Sequence, residues 1–209
     1  MTHRNNLDFL RFILALSVVI FHTVGVWMPA HIWWGGAAVS AFLGISGFVV
    51  LQSREASKDL GHFWWKRVLR IYPLFIPVLI VGWFIQPVPV LEYVGHFLSA
   101  GIYGRSVAAD PGWTIIVEEI LYAGLCLLWA TGAYRAKWPV WALLVVSLIA
   151  PHLTRNLVVE RALSLPPAFF VGNLVWLYRD KIGEGMKDAA WVLAAFSVLG
   201  VALPALMLS

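Results

Sequence analysis

Residues 11–22 read RFILALSVVIFH, an apolar run that begins at Arg11, ends at His22 and has only Ser17 as a further polar residue. The whole chain resembles this stretch, because 61% of its 209 residues are hydrophobic, 12% are charged and the mean hydropathy is +0.81. Soluble domains carry about 45–50% apolar and about 25% charged residues. The composition therefore excludes an ordinary soluble domain and indicates an integral membrane protein.

Seven apolar runs are candidates for membrane-spanning helices: roughly 9–29, 36–52, 70–86, 113–131, 138–152, 162–178 and 189–207. Crossing the hydrocarbon takes about 20 residues of α-helix, and a helix satisfies its own backbone groups. The sequence thus predicts an all-α, polytopic transmembrane bundle of about seven spanning helices, forming one membrane domain over residues 1–209. The weaker stretch 94–104 is too short to span and is predicted to be interfacial or re-entrant.

The positions of the basic residues predict the orientation. With a cytoplasmic N-terminus, twelve of the fifteen lie on the cytoplasmic side: Arg4, Arg11, Arg54, Lys58, Lys66, Arg67, Arg70, Arg135, Lys137, Arg179, Lys181 and Lys187. The remaining three, Arg105, Arg155 and Arg161, lie on the opposite side. Because cytoplasmic segments carry the excess of Lys and Arg, this asymmetry favours a cytoplasmic N-terminus.

His22 is predicted to share a helix face with Arg11, because eleven steps of about 100° end about 20° past three full turns and about 16 Å along the axis. An ionisable side chain in a spanning helix costs about 2.5–3.5 kcal/mol, so we expect His22 to face a cavity or a partner inside the bundle. The alternatives are a hydrogen-bonded packing histidine and, for Arg11, a topology anchor paired with Asp8.

A second informative stretch is DPGWTIIVEEILYAG, residues 110–124, in which Asp110 and Pro111 can begin a helix that carries Glu118 and Glu119. Adjacent helical residues point about 100° apart, so at most one glutamate can face a narrow site. The other needs a different polar neighbour or the membrane interface. A helix-tethering ion pair is the alternative interpretation.

Two shorter patterns complete the set of candidate residues. In HFWWKRVLRIYP, residues 62–73, Arg67 and Arg70 stand at i, i+3 and can bind one anion together, since guanidinium groups match phosphate oxygens. The alternative is an ordinary basic cytoplasmic loop. In SGF, residues 46–48, small side chains in mid-helix predict close helix packing.

These segments together resemble the acyltransferase 3 family of membrane-bound acyltransferases, which is mainly bacterial. NNLDFLRFILALSVVIFH (5–22) is similar to its opening motif of an arginine and a later histidine, and AFLGISGFVVLQ (41–52) to its serine-glycine-phenylalanine segment. FWWKRVLRIYPLF (63–75) resembles its R-x-x-R-I-Y-P stretch, PGWTIIVEEILYAGL (111–125) its tryptophan with a glutamate five positions on, and PAFFVGNLVW (167–176) a later helix. Family members usually have more spanning helices than seven, so we expect the C-terminal part of the bundle to be absent here.

The resemblance implies transfer of an acyl group, often acetyl, from cytoplasmic acyl-CoA to a hydroxyl of a glycan or another acceptor at the bacterial cytoplasmic (inner) membrane. It implies that His22 is the catalytic histidine and Glu118 its partner, with Arg11, Arg67 and Arg70 near the donor. Supporting positions are Ser46, Tyr72, Trp113 and Glu119. No permanently bound cofactor is expected, since acyl-CoA is a substrate.

Two other classes of protein remain open. A proton-coupled transporter would use His22 and Glu118 as a proton relay, although no inverted repeat is detectable. A non-catalytic membrane subunit would not need His22. The six histidines are scattered without paired spacing, so no metal site is expected, and nucleic-acid binding lacks an exposed basic domain.

Overall fold

The computed structural model describes residues 2–24, 31–85 and 113–181, and every regular element in these ranges is helical. The helices are α1 (Thr2–Val24), α2 (His31–Glu55), α3 (Leu60–Ile85), α4 (Trp113–Ala130), α5 (Ala133–Ala136), α6 (Trp138–Ile149), α7 (Leu157–Leu163) and α8 (Pro166–Leu177). A 3₁₀ turn, Ala150–Leu153, follows α6. The predicted all-α class is confirmed for this part of the chain.

Within the described residues the predicted spanning runs fall in helices, with two departures. The run 162–178 is divided between α7 and α8 by a break at residues 164–165, and the run 138–152 ends in the 3₁₀ turn. Among the described residues, one segment, Gly36–Glu55 in α2, is long and apolar enough to cross a bilayer, with a mean hydropathy of 1.6. Phe9–Ile20, Trp138–Leu153 and Pro166–Leu177 are shorter apolar helical segments. The runs 94–104 and 189–207 lie outside the described residues, so the number of spanning helices stays a prediction.

Helix α3 begins at Leu60 rather than at residue 70, where the apolar run starts. The carboxylate of Asp59 accepts a hydrogen bond of 2.7 Å from the backbone N–H of His62, three residues later. Such an N-cap satisfies a helix-start donor that has no partner within the helix. The apolar run does not include the first turns of this helix, because they carry His62, Lys66 and Arg67 among aromatic residues.

Contacts between residues divide the chain into two compact units. One comprises Met1–Gln52 and Leu127–Ser209, and the other comprises Ser53–Cys126. The first unit contains α1, most of α2 and α5 to α8, whereas the second contains α3 and most of α4. The single membrane domain over residues 1–209 stays a prediction.

In the first unit, α1, α2 and α8 share a hydrophobic core. Ile45 and Val175 are buried at its centre, and Leu10, Leu14 and Phe48 pack against them. Helix α6 also packs against α8. The apolar face of α1 that carries Leu10 and Leu14 therefore serves helix packing, and the same helix carries Arg11 on its buried side.

Helices α2 and α8 cross at a point where backbone meets backbone. A Cβ atom on Gly47 would overlap the carbonyl oxygen of Phe169 and lie 2.9 Å from its carbonyl carbon. A Cβ atom on Gly172 would overlap the carbonyl oxygen of Gly44 and lie 2.8 Å from the nitrogen of Phe48. Small residues permit such close approach between helices in membranes. The packing role predicted for SGF is thus confirmed.

Buried polar contacts hold the C-terminal half of the first unit together. Asn173 is fully buried in α8, where its side-chain amide donates to the carbonyl of Phe169 at 2.9 Å and accepts from the Tyr134 hydroxyl at 3.3 Å. The ammonium of Lys137 donates to the carbonyl of Leu177 at 3.1 Å and lies 4.8 Å from the ring centre of Tyr178. A cation is favourable there, since the last carbonyls of a helix lack partners within the helix.

Candidate active site

A short turn between α2 and α3 sets the position of the first site residue. The Ser57 backbone N–H donates to the Arg54 carbonyl at 3.2 Å, and the Ser57 hydroxyl donates to the Ser53 carbonyl at 2.7 Å. These bonds satisfy two carbonyls at the end of α2, while Asp59 begins α3 on the other side of the turn. The turn therefore brings the end of α2 beside the first turns of α3.

Arg67 lies in α3 with only 6% of its surface exposed. Its Nη2 donates to the Ser53 hydroxyl at 3.1 Å, and its Cζ lies 5.8 Å from the ring centre of Phe63 and 6.0 Å from that of Tyr122. Its Nε and Nη1 are buried and have no hydrogen-bond partner among the described residues. A buried cation with unused donors is costly, so these atoms are suited to an anionic or carbonyl oxygen from a ligand.

Arg70, one turn later in the same helix, has an exposed side chain. Although Arg67 and Arg70 are three residues apart in one helix, the first guanidinium is buried and the second is exposed. An oxygen bound by Arg67 must enter the protein, whereas one bound by Arg70 can remain at its surface. Joint binding of one anion by both arginines stays a prediction.

The two neighbouring glutamates of α4 are each held by a tyrosine. Tyr122, one turn along α4, donates its hydroxyl to Oε1 of Glu118. Tyr72 of α3 donates its hydroxyl to Oε1 of Glu119 at 2.9 Å. Both glutamates are half-buried. The expectation that the second glutamate would find a separate polar neighbour is confirmed.

We call Ser53, Phe63, Arg67, Glu118 and Tyr122 the Arg67–Glu118 cluster. It combines a buried guanidinium, a hydrogen-bonded carboxylate and two aromatic faces within one compact unit. Chemically, it can bind an oxygen anion or a polarised carbonyl and hold a carboxylate in a fixed direction. Within the described ranges, no group of three or more His, Cys, Asp or Glu residues is placed to hold a metal ion.

The remaining predicted site residues belong to the other unit or lack a described side chain. Arg11 is 8% exposed, its Cζ lies 5.5 Å from the ring centre of Phe42, and its Nε has no partner among the described residues. Ser46 is fully buried in α2. His22 lies in α1 and Trp113 begins α4, but both side chains lie outside the description. The pairing of His22 with Glu118 therefore stays a prediction. The alternative pairing of Arg11 with Asp8 also stays a prediction, because the Asp8 side chain lies outside the description.

Sequence reasoning missed three members of the cluster. Tyr122 follows Glu118 by four residues and Phe63 precedes Arg67 by four, which is the spacing of neighbours on one helix face. A search for aromatic residues four positions from each charged residue would have found both rings. Ser53 gives no such signal, since it lies on another helix, fourteen residues from Arg67.

Residues 4–209 match the model of the acyltransferase 3 family, described as an acyltransferase domain. Nodulation protein 10 of Rhizobium leguminosarum bv. viciae is 28% identical over 163 residues, which cover 60% of this chain and 44% of that protein. The matched part thus spans less than half the length of that relative. No solved structure matches the chain.

Proposed function

We propose that this chain, which belongs to the acyltransferase 3 family, is a membrane-bound O-acyltransferase. It takes an acyl group, acetyl in the simplest case, from acyl-CoA at the cytoplasmic face. It transfers that group to a hydroxyl of a glycan or another acceptor at or across the membrane. The family match supports acyl transfer, and the observation that carries the donor site is the buried Arg67 guanidinium, two of whose donors have no partner among the described residues.

The proposed location is the bacterial inner membrane, which the chain crosses several times with its N-terminus in the cytoplasm. Support comes from large apolar side chains that are exposed on several of the described helices. Examples are Phe9 and Phe12 of α1, Phe84 of α3, and Trp138 and Val146 of α6, each at least 60% exposed. A lipid surface would cover such side chains, which water solvates poorly.

The proposed reaction needs a base, because a hydroxyl must lose its proton as it attacks the thioester. A new C–O bond forms at the acyl carbon, the C–S bond breaks, and CoA leaves as a thiolate. The imidazole of His22 accepts the hydroxyl proton and returns it to the thiolate, since histidine is the side chain that most readily exchanges a proton near neutral pH. Glu118 orients this imidazole and stabilises its charged form.

The donor is bound through its negative charges. CoA carries phosphates, and guanidinium groups bind phosphate oxygens in fixed geometry. In this proposal Arg70 binds phosphate at the surface, Arg67 binds an oxygen that enters the protein, and Arg11 contributes positive charge from the first unit.

The test is transfer of labelled acetyl from acetyl-CoA in proteoliposomes that contain the purified full chain and a bacterial glycan extract as acceptor. His22→Ala is expected to abolish turnover, with His152→Ala, an exposed histidine of the 3₁₀ turn, as the matched control. Arg67→Ala is expected to raise KM for acetyl-CoA mainly, with the exposed Arg155→Ala as its control.

The outcomes separate the competing classes of protein. Unchanged turnover in His22→Ala would remove the catalytic assignment. An equal rise of KM in Arg67→Ala and Arg155→Ala would contradict specific binding of the donor by Arg67 and would indicate a general effect of positive charge. Proton flux that requires no CoA, together with absence of acetyl transfer, would favour a transporter.

A further inference from the structure

Tyr122 contacts both charged members of the Arg67–Glu118 cluster. Its hydroxyl donates to Oε1 of Glu118, and its ring centre lies 6.0 Å from Cζ of Arg67. The residue is 2% exposed, so its ring is held by surrounding protein. All three residues belong to the same compact unit.

The two contacts use different parts of the tyrosine side chain. The hydroxyl hydrogen bond favours one orientation of the Glu118 carboxylate, because a charge-assisted bond to one oxygen disfavours other rotamers. The ring face attracts the guanidinium, and this attraction increases when the cation is removed from water. A rigid side chain with two torsions therefore fixes a carboxylate and a guanidinium relative to each other.

We propose that Tyr122 is a positioning residue for the acyl transfer proposed above, on which this inference rests. Its hydroxyl orients Glu118, which acts on the proton transfer, and its ring orients Arg67, which acts on the donor. The two effects are separable, since phenylalanine keeps the ring and removes the hydroxyl. Tyr72 donates an equivalent hydrogen bond to Glu119, whereas Tyr122 donates to Glu118.

The experiment compares Tyr122→Phe and Tyr122→Leu in the full chain, in the proteoliposome assay with acetyl-CoA. Tyr122→Phe is expected to lower kcat by about tenfold, the loss expected for one hydrogen bond to a charged group, with KM for acetyl-CoA within twofold of wild type. Tyr122→Leu is expected to lower kcat by the same factor and to raise KM several-fold, because it also removes the ring from Arg67.

The control is Tyr134→Phe, which removes the hydroxyl of another buried tyrosine, one that donates to Asn173 in the first unit. It is expected to leave both kcat and KM unchanged. A kcat of Tyr122→Phe within twofold of wild type would overturn the inference and leave the proposed function standing, provided that Glu118→Gln is impaired. A matching fall of kcat in Tyr134→Phe would show a general structural effect and would also overturn it. An inactive wild type would overturn the proposed function together with this inference.

Discussion

Replacing Gly47 by alanine is expected to destabilise the first unit, whereas the same change at Gly36 in the same helix is not. A Cβ atom at position 47 would lie 2.9 Å from the carbonyl carbon and 3.1 Å from the Cα of Phe169, and would overlap its carbonyl oxygen. A Cβ atom at position 36 would have no atom within 4 Å. The two variants therefore differ in packing while sharing the same chemical change.

The size of the expected loss in stability follows from the contact between the new methyl group and the backbone of Phe169. Carbon atoms prefer about 3.5–4.0 Å between them, and the overlap with the carbonyl oxygen of Phe169 is tighter than the 2.9 Å contact with its carbon, so α2 and α8 must separate by at least about 1 Å to accept the methyl group. Overpacking costs about 1–3 kcal/mol, and backbone atoms cannot rotate away, which favours the upper part of that range. Alanine regains about 0.5–1 kcal/mol of helix stability. We expect Gly47→Ala to lower the free energy of unfolding by about 2 kcal/mol and Gly36→Ala to raise it by up to about 1 kcal/mol.

The measurement is equilibrium unfolding by SDS in mixed micelles, followed by tryptophan fluorescence. The double variant Gly47→Ala, Gly172→Ala is expected to lose less than the sum of the two single losses, because both methyl groups require the same helix separation. If Gly47→Ala were no less stable than Gly36→Ala, the backbone contact between α2 and α8 would not exist as described, and this reasoning would fail.

Three further predictions concern local contacts and use the same unfolding measurement. Asn173→Ala is expected to lower the free energy of unfolding by about 1–3 kcal/mol, since it removes two hydrogen bonds from a fully buried position. Tyr134→Phe removes one of these bonds and is expected to lower it by about 0.5–1.5 kcal/mol. Equal losses in the two variants would contradict this order. Asp59→Ala is expected to cost about 1 kcal/mol by removing the cap of α3, and Asp59→Asn should restore most of that stability. Lys137→Met is expected to cost about 0.3–1 kcal/mol at low salt, and a loss that increases with added salt would argue against its role at the end of α8.

The sequence anticipated the helices better than their ends. Apolar runs reveal helices directly, because a membrane-type composition leaves few other ways to satisfy the backbone. The apolar run 70–86 does not include the first turns of α3, which begins at Leu60 after the cap by Asp59. For the candidate site, charged residues in apolar surroundings drew attention to Arg67 and Arg70 and to the pair Glu118 and Glu119, and the family resemblance selected Glu118.

The partners of those charged residues divide into two groups. Tyr122 lies one helical turn from Glu118, and Phe63 lies one turn from Arg67. Spacing along the sequence is therefore enough to predict that they are neighbours. Ser53 and Tyr72 contact residues of other helices, which no local pattern can indicate. The same is true of Gly172, whose importance depends on the backbone of Gly44 across the crossing.

Composition, spacing and motif order by themselves determined the helical class, the family and which charged residues merit attention, because each can be obtained along the chain without knowing which helices meet in space. Only the tertiary structure decided that Arg67 is buried while Arg70 is exposed, and that a tyrosine holds each glutamate. The physical reason is that burial and hydrogen bonding depend on which helices approach one another, and a one-dimensional periodicity does not contain that information.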